Sequence, residues 1–249
     1  MKKTKKDKHD VVATVSSKLQ EETVAKSVRK RRTITLRTFL IIAISAFIVL
    51  AFFAHTVSYF PIDLVITRAV QSFHPAWFDL LMKMTSFIGY PPQVDIFVVV
   101  VVIFMYLLGL RFESMVALCN AIFITLINLV LKELVGRPRP SADLVQVFNH
   151  VGQTSFPSGH VMFYLAFFGY FWFLSYTMLK KSWLKYCLLF ILTAVIILIA
   201  PSRIYLGAHW ASDVFGAYLF SNIWLLLVVE FHHWGKSRFF VKQPVAPEK

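Results

Sequence analysis

Between residues 202 and 213 the chain reads Ser-Arg-Ile-Tyr-Leu-Gly-Ala-His-Trp-Ala-Ser-Asp, which sets Arg203, His209 and Asp213 at the edge of two very apolar runs. Ionisable residues in such places are expensive and imply a use. His209 and Asp213 are four apart, so on a helix they share a face. A carboxylate beside an imidazole fixes its tautomer and stabilises the imidazolium. Arg203 adds a planar donor fork that matches phosphate oxygens. Two other stretches carry related chemistry. Lys132-Glu-Leu-Val-Gly-Arg-Pro-Arg139-Pro140 supplies cations, and Pro157-Ser158-Gly159-His160 supplies a hydroxyl, a glycine and a second imidazole where an apolar run begins. A helix start is a natural anion site, and glycine permits close backbone approach. The chemistry these residues share is the handling of a phosphate.

Membrane spans must position them. The 249 residues are 57% hydrophobic and only 16% charged, with a mean hydropathy of +0.65. Repeated apolar runs of about 15 to 20 residues read as transmembrane helices. The fold class expected is an all-α polytopic membrane protein, a six-transmembrane-helix bundle with spans at 38–57, 96–110, 114–131, 161–179, 186–200 and 214–229. Residues 61–90 mix Asp63, Arg68, Asp79 and Lys83 with apolar residues, the pattern of short interfacial amphipathic helices between spans one and two. Arg111 to Glu113 reads as a tight connection, the fifth span as ending at Pro201, and 134–154 as a loop marked by Pro138, Pro140, Asn149 and Gly152.

Around a membrane domain at 38–230 lie a basic tail at 1–37, expected to be disordered or held on anionic lipid, and a C-terminal tail at 231–249. No cleaved signal peptide is expected, because the basic region before the first span is too long. Cys119 and Cys187 sit in apolar runs without a CxxC partner and imply neither a disulfide nor a zinc site.

Charge sets the expected topology. Six spans put both termini on one side, where 20 Lys/Arg lie, against 6 on the other. The positive-inside rule then makes the termini cytoplasmic. Four of the six basic residues on the outer face, Lys132, Arg137, Arg139 and Arg203, fall in two connections. Ligands for an anion account for that concentration.

The three motifs together resemble the type 2 phosphatidic acid phosphatase superfamily, whose signature reads K-x6-R-P, P-S-G-H and S-R-x5-H-x3-D. Lys132 and Arg139-Pro140, residues 157–160, and Ser202, Arg203, His209 and Asp213 match it in order, with no departure. The resemblance implies a lipid phosphatase that attacks phosphorus through His209, with Asp213 orienting the ring. It implies His160 as general acid, and Lys132, Arg139, Arg203, Ser158 and Gly159 as ligands of the phosphoryl oxygens. It also implies no metal and no other cofactor. The substrate would be a lipid phosphate taken from the bilayer: undecaprenyl diphosphate, phosphatidylglycerophosphate or a phosphatidic acid. The motifs bind the phosphoryl group that these share and do not choose among them.

Taken singly, each residue has a plainer reading, such as an interfacial anchor for Lys132 or a helix cap for Ser158. Arg137 lies outside the signature and keeps the anchor reading. His55, His74, His150, His232 and His233 read as structural. Two other classes compete with the enzyme. A transporter or channel for an anion is opposed by the lack of an internal repeat. A non-catalytic scaffold relative is opposed by the intact nucleophile and acid. No nucleic-acid partner is expected.

Overall fold

The computed structural model describes Arg31, residues 33–148 and residues 152–239. Most of the basic tail at 1–37, His150 and residues 240–249 lie outside the described residues. The described elements are helices: α1 (Thr33–Thr56), α2 (Pro61–Gln71), α3 (Ala76–Phe87), α4 (Gln93–Leu107), α5 (Arg111–Val135), α6 (Gly159–Met178), α7 (Trp183–Tyr205) and α8 (Ala211–Phe239). The chain divides into two units inside α1, at residues 1–45 and 46–249. The first contributes the start of that helix; the second holds all the other elements.

α6 is the centre of the second unit. Residues 161–170 are buried without interruption, and the helix packs against α5, α7 and α8. A helix apolar all round belongs inside a bundle. Its core is aromatic: Phe163 stacks on Phe167 at 5.1 Å, and Phe97 of α4 meets Phe168 at 5.7 Å. The outer helices turn apolar side chains outward, as lipid-facing helices do.

α1, α5, α6, α7 and α8 are long and apolar enough to cross a membrane. The second expected span, α4, has only 15 residues. At about 1.5 Å per residue it reaches roughly 22 Å, short of a hydrocarbon core of about 30 Å.

Two connections differ from the sequence reading. Arg111 to Glu113 is the first turn of α5 rather than a linker. Glu113 is buried in an ion pair with Lys236, so a partner far along the chain draws this charged triplet into the bundle. Pro201 sits inside α7 rather than at its end. A membrane helix tolerates the lost N–H where neighbours supply polar contacts. Here Ser202 Oγ donates to Met82 O (2.5 Å) and lies 2.6 Å from Ser86 Oγ, and the extra turn places Arg203 on a rigid helix.

Residues 61–90 form two short helices, yet α2 is amphipathic in the opposite sense to a helix lying on water. Asp63, Thr67 and Gln71, spaced by four, form a buried polar stripe, while Ile62 and Val65 are 58% and 63% exposed. The polar face is turned to the protein. Gln71 Nε2 donates to Gln146 O (2.7 Å) and Tyr205 O (2.8 Å), and Gln146 N donates back to Gln71 Oε1 at 3.0 Å.

The turn from α7 into α8 depends on Gly207, at φ +63°, where an added Cβ would lie 2.0 Å from Gln146 O. Left-handed backbone costs a side chain about 1–2 kcal/mol, and the clash with a backbone oxygen adds to it. Gly207→Ala is expected to lower the thermal unfolding midpoint in detergent by at least about 4 °C. A shift within about 1 °C would show that the turn relaxes freely.

Candidate active site

The three motifs arrive from separate helix ends. Lys132 is in the last turn of α5, and Gly136 at φ 62° stops that helix. The chain then runs extended through Arg137, Pro138 and Arg139, pairing with the segment before α6. Pro138 bridges Thr154, Ser155 N donates to Arg137 O (2.7 Å), and Lys132 Nζ donates to Thr154 O (2.9 Å). Ser158 caps α6 by position, and its N–H donates to Asp213 O at 3.3 Å. Arg203 is in the last turn of α7, His209 in the turn that follows, and Asp213 in the first turn of α8.

Lys132, Arg139, Gly159, His160, Arg203 and His209 line one cavity of roughly 610 Å³. Ser158 and Asp213 are fully buried and do not line it; they stand behind its wall. Val94, Ile124, Leu129 and Phe163 form an apolar flank, and Glu133 is a carboxylate on the same wall.

The cations are held by neutral groups. Arg203 Nη1 donates to Ser86 Oγ (3.0 Å) and Tyr90 Oη (2.7 Å), with the guanidinium 5.2 Å from the Tyr90 ring. Arg139 Nη1 donates to Ala208 O at 2.7 Å. The Nε atoms of both arginines are buried without a hydrogen-bond partner in the protein. Burial and the nearby Arg203 lower Arg139 to about 10, which leaves it a cation at neutral pH.

His160 Nε2 is likewise buried without a protein partner. Its ring lies edge-on to Tyr90 at 4.6 Å, and a Cβ on Gly89 would come within 2.2 Å of it. Close approach to the imidazole requires glycine at 89.

The relation of Asp213 to His209 is less direct than the spacing predicts. His209 Nδ1 is 3.7 Å from Asp213 Oδ2, beyond a hydrogen bond, and 3.5 Å from Ser155 Oγ. Ser155 Oγ donates to Asp213 Oδ2, and Trp210 N donates to the same oxygen at 2.8 Å. Ser155 has thus given its hydrogen to the carboxylate and can only accept towards His209. A hydrogen on Nδ1 fits that arrangement, and Nε2 is then the lone pair left for chemistry.

Arg137 corrects the anchor reading. It is 0% exposed and bridges two buried carboxylates, Asp213 Oδ1 at 2.5 Å and Asp63 Oδ2 at 2.9 Å. Asp63, Ser155, Ser86, Tyr90 and Gly89 also belong to the site, and sequence reasoning missed them. The polar stripe of Asp63, Thr67 and Gln71 was the available signal for Asp63. Three of the other histidines have hydrogen-bond partners of their own: His55 Nδ1 with Val135 O (2.9 Å), His74 Nδ1 with Ser72 O (3.0 Å), and His232 Nδ1 with Tyr170 Oη (2.9 Å). Cys119 and Cys187 are free and exposed.

Burial, then the charges of Arg139, Lys132 and Arg203, hold His209 well below the usual histidine range. A base with a lowered pKa stays neutral as pH falls past the ordinary value near 6.5 and protonates only below it. In 15N spectra of histidine-labelled protein in detergent, the resonance lost in His209→Ala is expected to stay neutral at pH 6. A midpoint at or above 6.5 would contradict the electrostatics described.

The sequence and the fold both resemble known proteins. Residues 113–237 match the family model described as the PAP2 superfamily. Phosphatidylglycerophosphatase B of Bacillus subtilis is 28% identical over 189 residues, covering 74% of this chain and 90% of that protein. The crystal structure of a transmembrane PAP2-type phosphatidylglycerolphosphate phosphatase from Bacillus subtilis superposes with a TM-score of 0.69 at 26% identity, over 80% of this chain and 98% of that one. Aquifex aeolicus LpxE, with a TM-score of 0.53 at 20% identity over 69% of this chain and 96% of that one, shares the fold. With three motifs on one cavity and half of its length matched, the chain belongs to the PAP2 superfamily, as a membrane phosphatase of the kind that acts on lipid phosphates.

Proposed function

We propose that this chain hydrolyses the phosphate monoester of a glycerophospholipid, with phosphatidylglycerophosphate the first substrate to test, through a phosphohistidine on His209. The observation that carries the proposal is one cavity lined by His160, His209 and three cations, beside an apolar flank of Val94, Ile124, Leu129 and Phe163. The flank suits an acyl chain reaching the site from the bilayer. The likeness to phosphatidylglycerophosphatase B supports the headgroup. Glu133 also lines the cavity, and a carboxylate there opposes the extra charge of a diphosphate.

The chemistry takes two displacements. The lone pair of His209 Nε2 attacks phosphorus, the bond from phosphorus to the lipid oxygen breaks, and His160 protonates the departing alcohol. His160, now a base, takes a proton from water; the water oxygen bonds to phosphorus, and the phosphorus–nitrogen bond breaks to release phosphate and His209. Lys132, Arg139 and Arg203 offset charge on the equatorial oxygens, and the Gly159 N–H at the start of α6 adds a donor. Three cations supply what a metal supplies elsewhere, so turnover needs none.

α4 is the sixth crossing in this proposal. Both basic termini can be cytoplasmic only with an even number of spans, and a short helix is accommodated by local thinning of the bilayer. The active site then opens on the extracytoplasmic face of the cell membrane.

Phosphate release in detergent with EDTA present is expected from phosphatidylglycerophosphate above phosphatidic acid, and from both above undecaprenyl diphosphate. His209→Ala should lose at least about 10³-fold in kcat. Undiminished turnover by that variant would sink the mechanism, full loss with EDTA the metal independence, and preference for the diphosphate the headgroup assignment. Gly89→Ala is expected to displace the His160 ring and lower kcat at least about tenfold; an unchanged kcat would remove His160 from the acid role.

A further inference from the structure

Asp63 and Arg137 are absent from the cavity wall and from the three motifs, yet they are among the most buried charges in the protein, each 0% exposed. Removing two charges from water is costly, and apolar residues often replace a buried pair without loss of stability. Packing alone is therefore a weak reason for them.

We propose that Arg137 and Asp63 are positioning residues for the nucleophile: their buried bridge holds Asp213, and through Ser155 the ring of His209, in the attacking geometry. The inference rests on His209 being the nucleophile.

The guanidinium is committed on every side. Nε donates to Ser58 O (3.2 Å), Nη1 to Asp213 Oδ1 (2.5 Å) and Ser212 Oγ (2.7 Å), and Nη2 to Asp63 Oδ2 (2.9 Å). The Phe60 ring covers it at 5.0 Å. A planar fork so occupied has one orientation, and it dictates the plane of the Asp213 carboxylate. With Oδ1 taken by Arg137, Oδ2 is left to Ser155 Oγ and Trp210 N. Those are the contacts that bring Ser155 Oγ to 3.5 Å from His209 Nδ1.

Asp63 fixes the other end of the bridge and also the backbone beside Asp213. Its Oδ1 accepts from Ser212 N (2.8 Å) and its Oδ2 from Ser212 Oγ (2.7 Å). A carboxylate from α2 thereby supplies an acceptor to an N–H in the first turn of α8, where a negative charge is favourable. Asp63 is itself pinned by Phe60 N at 3.0 Å.

The test compares Arg137→Met, Arg137→Lys, Asp63→Asn and His209→Ala in the full chain in detergent, with phosphatidic acid as substrate and inorganic phosphate as competing product. A displacement of order 1 Å at the nucleophile lowers kcat about 10²-fold, and that is the expectation for Arg137→Met. KM and the inhibition constant of phosphate should stay within about threefold, since the cations that bind it are untouched. Arg137→Lys should recover about tenfold, because one ammonium reaches Asp213 but cannot span to Asp63. Asp63→Asn, which keeps shape and loses charge, should cost about tenfold in kcat. Folded Arg137→Met with kcat within about threefold of wild type, or with its loss in KM and phosphate affinity, overturns the inference. If Arg137→Met does not fold, Asp63→Asn decides on the same split. Inactive His209→Ala beside normal turnover in both bridge variants overturns positioning alone; active His209→Ala overturns the nucleophile and this inference with it.

Discussion

The constraint on which the rest depends is the cost of charge at the edge of a membrane, and Arg137 is where it is met most completely. A guanidinium fully removed from solvent sits between Asp63 and Asp213, and that contact joins α2, the segment after α5, and the start of α8. None of these elements would hold its position from apolar packing alone, because each presents polar atoms to the others. α2 shows this best: it turns Ile62 outward and Asp63 inward. A helix with its polar stripe buried is stable only if that stripe finds partners, and Arg137, Ser212, Gln146 and Tyr205 provide them.

The cavity cations are treated differently. Among the described residues no ion pair joins Lys132, Arg139 or Arg203 to a carboxylate. They are steadied by carbonyls, hydroxyls and the Tyr90 ring, which fix geometry and leave the charge in place. Buried like charges repel one another and destabilise a fold, and ground filled by such groups is typically functional. Burial, with the same repulsion added to it, favours neutral His209, which is the form the proposed mechanism needs for attack on phosphorus. In the proposed mechanism one electrostatic arrangement thus serves both the anion site and the nucleophile.

How far this was legible in the sequence follows from the range of each interaction. Lys132, Arg139, His160, Arg203 and His209 were legible because their chemistry and spacing lie within short motifs at the ends of apolar runs, and helix ends are readable from composition. The spans were legible for the same reason, apart from α4, whose apolar run is shorter as a helix than a hydrocarbon core. Arg137, Asp63 and Ser155 were not. Arg137 meets Asp63 across 74 residues and Asp213 across 76, and nothing local distinguishes a buried bridge from an arginine anchored at the interface. The spacing of His209 and Asp213 indicated one helical face, but Asp213 alone is in the helix and His209 is in the turn before it. A hydroxyl from another segment fills the difference.

That difference bears on how the triad-like group works. Where a carboxylate bonds an imidazole directly, the pair can be tuned by one contact. Here Asp213 already receives Arg137, Ser155 and Trp210, so its negative charge is largely spent before it reaches the ring. In the proposed mechanism the role left to it is orientation more than charge transfer, consistent with neutral His209 as the nucleophile. In the same proposal phosphate arrives with its own negative charge among three cations that have no carboxylate partner among the described residues. The substrate so proposed would supply the negative charge that the cavity's cations lack among the described residues.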